Sequence, residues 1–268
     1  MKSSNDIPVS VINAFSDDPF GGNPAAVCRL QAWLSDDILR KIALQTGLPI
    51  TSFLVREGNA ERLRWFAREG NEVQSLCGHG TVAAAHVCLR LEQEAPSTVA
   101  FQTRAGLLVA TREGDAVAID FPRWTITRCD PPPGLADALG LAAQEYWTAG
   151  RDYLAVYANE AEVRSLRPDF ERLLALGRHG FIATGPGLSH DCVSRFFCPS
   201  FGIGENEDPV TGSAHCSIAP LWAERLGKQE IRAYQASGRS GDLACRVKPD
   251  AVRISARAAI FLRGTISI

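Results

Sequence analysis

No stretch of this chain approaches the ~18 uninterrupted apolar residues that a membrane-spanning helix needs, and residues 1–11 lack the apolar core of a signal peptide. A soluble, cytoplasmic protein is expected. Lys and Arg are nowhere massed in a run, and the formal charge of -2 gives no electrostatic reason to expect nucleic acid. The eight cysteines form no Cys-x-x-Cys pair, and the five histidines form no HExxH motif or cluster with Cys and carboxylates. Neither a disulfide framework nor a metal site is expected, and most cysteines should be buried thiols.

What is present suits a folded enzyme. With 46% hydrophobic and 22% charged residues, 268 residues can bury a large core, as one domain or two lobes. Short β-type runs recur at 8–15, 51–55, 62–66, 106–111, 116–121 and 195–197. Helical patterns interrupt them at 35–46, where Ser35 can cap and Gly47 can stop the helix, at 81–92, and at 213–226 before Gly227. The class is α+β. The densest turn signal near the middle, Asp130-Pro-Pro-Pro-Gly134, is the natural linker between an N-terminal lobe at 1–124 and a C-terminal lobe at 125–268.

The halves echo each other. Arg64-Trp65-Phe66 precedes Cys77-Gly78-His79-Gly80-Thr81, and Arg195-Phe196-Phe197 precedes Pro209-Val210-Thr211-Gly212-Ser213, at offsets that differ by one residue. Each copy leads from a strand through a loop to a helix rich in small residues, so two related lobes with a cleft between them are expected. A glycine-rich loop that opens a helix offers unpaired backbone N–H groups to a carboxylate. The competing explanation is that Gly80 and Gly212 only let helices pack closely. Two matched loops, each with an ionisable residue, favour the chemical one. His79 has the side chain whose ordinary pKa suits proton transfer near neutrality, and Asp208 supplies an opposing carboxylate. Cys77 is a candidate proton carrier as well as a structural thiol. His86, His179, His190 and His215 are read as structural or surface residues.

In these residues the chain resembles the PhzF (phenazine biosynthesis-like) family, which shares its fold with diaminopimelate epimerase. The resemblance runs through residues 11–15 and 20–27, Trp65-Phe66, Glu72-Val73, Cys77 to Thr81, residues 197–199, Gly202-Ile203 and residues 207–215. It implies two pseudo-symmetric lobes, each a curved mixed sheet around a central helix, with the last strand returning to the N-terminal lobe. It further implies a homodimer, no cofactor, and an isomerase that moves a proton within a small carboxylated metabolite. On the family's pattern His79 and Asp208 are catalytic, and Gly78, Gly80, Thr81, Gly212, Ser213 and Ile50 line the substrate site.

The pattern breaks at one catalytic position. Where family members carry a proton-shuttling glutamate, this chain reads Pro49-Ile50-Thr51-Ser52-Phe53, with Ile50 in the glutamate's place. An isoleucine exchanges no proton, so the proton route must differ, as in an altered isomerase or lyase, or be absent, as in an accessory binding protein. Glu72, Glu205 and Glu207 are near in sequence. The two-thiol chemistry of the epimerases is not expected either, because aligning the loops on Gly80 and Gly212 sets Pro209 opposite Cys77, which leaves a one-sided proton transfer by Cys77 or His79.

Overall fold

The computed structural model describes residues 6–58, 60–92, 95–199 and 206–268. Gly202, Ile203 and Glu205 lie outside them. Strands in the first part of the chain are β1 (Asp6–Ala14), β2 (Asn23–Leu30), β3 (Ile50–Glu57), β4 (Ala60–Ala67), β5 (Thr98–Thr103), β6 (Gly106–Glu113) and β7 (Ala116–Pro122). Those that follow are β8 (Ile126–Arg128), β9 (Glu145–Ala149), β10 (Asp152–Val156), β11 (Phe181–Pro186), β12 (Cys192–Phe197), β13 (Glu230–Gln235), β14 (Gly241–Val247), β15 (Ala251–Ala256) and β16 (Ala258–Ser267). The helices are α1 (Asp36–Thr46), α2 (Gly78–His86), α3 (Leu135–Leu139), α4 (Glu160–Ser165), α5 (Phe170–Ala175) and α6 (His215–Leu226).

The chain divides into two compact units, Met1–Asp120 with Ser255–Ile268, and Phe121–Ile254. In the first, the strand order is β16-β1-β2-β3-β4-β5-β6-β7, and in the second β15-β14-β13-β12-β11-β10-β9-β8. The two repeat one scheme of pairing. β2 with β3 and β4 with β5 are parallel, and β3 with β4 is antiparallel. In the second unit β10 with β11 and β12 with β13 are parallel, and β11 with β12 is antiparallel. Parallel neighbours need a crossover. α1 supplies it between β2 and β3, and α4 with α5 between β10 and β11. The remaining crossovers are α2, which packs on β1, β2 and β3, and α6, which packs on β13 and β14.

Both of these helices are rich in small and apolar residues and are enclosed in a core over most of their length. All of α2 except His79 is buried, and α6 is buried from His215 to Ala223. The start of α2 lies three residues before the expected one, and the helix ends in a π-turn at Val87–Leu91. Ser35 precedes α1 without a side-chain cap; its carbonyl accepts from Leu39 N at 3.1 Å, and Asp36 and Asp37 face the positive end of the helix dipole. Gly47 closes α1 at φ 63°, as expected.

Asp130–Gly134 proves not to be the linker. It lies inside the second unit, where Leu135 N donates to Pro132 O at 3.1 Å and Gly134 (φ 85°) starts α3. The chain changes units within β7, an extended strand that carries no turn signal. The first core gathers Leu39, Ile42, Phe53 and Phe66, with Phe53 edge-on to Phe66 at 5.4 Å. The second gathers Leu135, Leu139, Val163, Phe181, Val193 and Phe197. Among the described residues no helix is long and apolar enough to cross a membrane.

Candidate active site

In each unit a strand ends in an arginine–glutamate clamp. Arg64 on β4 grips Glu72 through Nε and Nη2, at 2.6 and 3.0 Å, and lies 5.2 Å over the Phe66 ring. Arg195 on β12 grips Glu207 at 2.7 and 2.8 Å and lies 4.9 Å over Phe197. An isolated antiparallel bridge accompanies each clamp, Phe66 with Glu72 and Phe197 with Glu207. Beyond them Val73 N donates to Trp65 O at 2.8 Å, and Asp208 N to Phe196 O at 3.0 Å. Val73 is thus the counterpart of Asp208, and the carboxylate belongs to one copy of the repeat only. Both glutamates are committed to arginines. Burial opposes the charge of Glu72, but Arg64 and Arg104 hold its carboxyl below the usual range.

Cys77 is the N-cap of α2, and the Thr81 hydroxyl donates back to its carbonyl at 2.6 Å. The same i-to-i−4 tie recurs at α6, where His215 Nδ1 lies 2.8 Å from Thr211 O. The two ties differ in kind, a hydroxyl at α2 and an imidazole at α6, and each holds a loop carbonyl against the first turn of its helix.

Gly80 sits under tight constraint. A Cβ there would lie 2.8 Å from Trp65 Cδ1, 3.0 Å from Ile50 Cγ2 and 3.1 Å from Cys77 Sγ. The packing reading of this glycine is therefore correct for Gly80 itself, and it also gathers Ile50, Trp65 and Cys77 around the first turn of α2. Ile50 is 5% exposed on β3, hydrocarbon among hydrocarbon. The Ser52 hydroxyl donates to Gly80 O at 3.1 Å. Two polar atoms here, Trp65 Nε1 and His79 Nε2, are buried without a hydrogen-bond partner among the described residues.

Asp208, Thr211 and Ser213 are buried. The Thr211 hydroxyl donates to Asp208 Oδ2 at 2.6 Å. Beside them the Cys198 thiol is pushed well above its ordinary value, by burial first and then by the Asp208 charge, so it stays protonated. Seven of the eight cysteines are buried and none is bonded to another. His179 pairs with Asp152 at 2.9 Å and His190 with Asp242 at 2.6 Å. His215, by contrast, belongs to the Asp208 loop. Its spacing of four from Thr211 was the available signal; Gln235, which also enters this loop, had none.

Burial pushes His79, His86 and His215 down to about 4. His79 is then a neutral imidazole at pH 7. In the unfolded chain these rings titrate near 6.5. Between pH 6.5 and 4 the unfolded state therefore binds more protons, and stability is lost as pH falls through this window. Urea midpoints measured from pH 7 down to 4.5 are expected to decline, and a level midpoint would contradict the burial of these rings.

Residues 12–264 match the sequence model of a family described as phenazine biosynthesis-like protein, PhzC-PhzF. A Pseudomonas aeruginosa protein named an uncharacterized isomerase is 44% identical over 263 residues, 98% of this chain and 100% of that protein. The crystal structure of a PhzF-family phenazine biosynthesis protein from Enterococcus faecalis matches with a TM-score of 0.93 at 38% identity, over 98% of this chain and 100% of the other. A predicted epimerase from P. aeruginosa, at 18% identity, matches with a TM-score of 0.71 over 97% and 99% of the two chains. The fold is diaminopimelate epimerase-like.

Proposed function

The chain belongs to the phenazine biosynthesis-like (PhzC-PhzF) family of isomerase-type proteins, and from that premise we propose that it moves a proton within a small carboxylated substrate, with His79 and Asp208 as the acid and base groups. The observation that carries this reading is His79 at the first turn of α2, neutral and with Nε2 unpartnered among the described residues. A neutral imidazole accepts a proton. Because its conjugate acid is strong when buried, it returns that proton readily to a second substrate carbon. Asp208, held by the Thr211 hydroxyl, takes or steadies the exchangeable proton of the substrate's polar substituent. In this reading the backbone N–H groups that open α2 and α6, at Gly78 to Gly80 and at Gly212 and Ser213, hold the substrate carboxylate, and Cys77 and Thr81 flank it.

Ile50 favours one other reading, an accessory protein that binds the acid and leaves it unchanged. Deuterium separates the two. The protein is incubated in D₂O with β,γ-unsaturated or hydroxylated carboxylic acids, and the recovered acids are analysed by mass spectrometry and NMR. Incorporation at carbon in one of them is the expected result. Binding without incorporation across the set overturns the isomerase reading and leaves the accessory one. The family resemblance also carries a homodimer, and β16, an edge strand with Ile260, Phe261 and Leu262 exposed, is the segment of the first unit most suited to cover.

A further inference from the structure

Gln235 ends β13, far along the chain from the Asp208 loop, and is fully buried. Its amide meets three groups of that loop. Thr211 N–H donates to Oε1 at 2.8 Å, while Nε2 donates to Asp208 O at 2.7 Å and to Thr211 Oγ1 at 3.2 Å. A backbone N–H can only donate and a carbonyl can only accept, so the amide has one orientation here. With its oxygen occupied by that N–H, Thr211 aims its own hydrogen at Asp208 Oδ2, 2.6 Å away. His215 anchors the far side of Thr211. Its Nδ1 faces a carbonyl and the ring is neutral, so it is the Nδ1–H tautomer that donates.

We propose that Gln235 and Thr211 are positioning residues for Asp208, a buried relay of amide to hydroxyl to carboxylate that holds Asp208 ionised and in one rotamer. Its functional meaning rests on the reading of Asp208 as a proton-transfer group. A hydroxyl donated to a carboxylate stabilises the charged form, and the relay polarises that hydroxyl further. The other titratable groups at hand do not substitute for it. Glu207 is paired with Arg195, and Cys198 is an un-ionised thiol.

The test needs no substrate. Protein labelled with ¹³C at aspartate carboxyls is titrated by NMR, the Asp208 signal being assigned through Asp208→Asn. Thr211→Val is expected to raise the apparent pKa of Asp208 by ~1 unit, and Gln235→Leu to raise it by less. Thr211→Ser, which keeps the hydroxyl, is expected to restore the wild-type value. Ser237→Ala is the control. It removes a hydrogen bond to the same loop, from Ser237 Oγ to Pro209 O at 2.6 Å, without touching the relay, and is expected to lower the melting temperature while leaving the titration in place. Asp208 titrating unchanged in both Thr211→Val and Gln235→Leu overturns the proposal, and so does an equal shift in Ser237→Ala. Should Thr211→Val fail to fold, Thr211→Ala gives the same reading. A failed relay proposal thus registers in the titration whether or not the protein exchanges deuterium, whereas a failed isomerase reading registers in the deuterium experiment.

Discussion

Asp208→Asn and His79→Ala are each expected to cut deuterium exchange into the substrate by about 10²- to 10⁴-fold, the usual range for losing a positioned proton-transfer group. Asparagine is close in shape to aspartate and can still accept from the Thr211 hydroxyl, so the loop should keep its hydrogen bonds while losing a group that takes up a proton. His79 has no hydrogen bond at Nε2 among the described residues to forfeit. Circular dichroism matching the parent chain would show that both variants fold. Exchange at the parent rate in either one would remove that residue from the chemistry.

Phe197→Ala is expected to destabilise the second unit by about 3–5 kcal/mol, the range for deleting a buried aromatic ring. Phe197 is fully buried, pairs across the sheet with Phe181, meets Phe170 edge-on at 6.3 Å and carries the Arg195 guanidinium over its face. It is also the last residue of β12 and bridges Glu207, the neighbour of Asp208. Its loss should therefore loosen the active loop and the core together. Urea unfolding followed by Trp222, buried on α6 in the same unit, would register the change. A loss below ~1 kcal/mol would mean that the cavity collapses without cost.

The loops stood out in the sequence because each follows a strand with glycine and then threonine or serine, and one of them holds a histidine, of which the chain has five. The α+β class was legible from alternating runs and capped helical stretches. What escaped was everything set by pairing at a distance. Arg64 with Glu72 and Arg195 with Glu207 are eight and twelve residues apart, and only the shared bridge at each strand end shows them to be equivalent. Gln235 was invisible for a similar reason. A lone glutamine at a strand end has no pattern, and its role exists only once β13 lies beside β12.

The pairing of β16 with β1 bears on how the chain is made. β1 is synthesised long before β16, one of its two sheet partners. Pairings of such sequence separation close slowly. The second unit, contiguous from Phe121 to Ile254, can assemble while synthesis continues, whereas the first must wait with one edge of β1 unsatisfied until β16 has been made. Nascent chains stalled short of residue 258 should accordingly hold a protease-resistant second unit beside a first unit still open to cleavage.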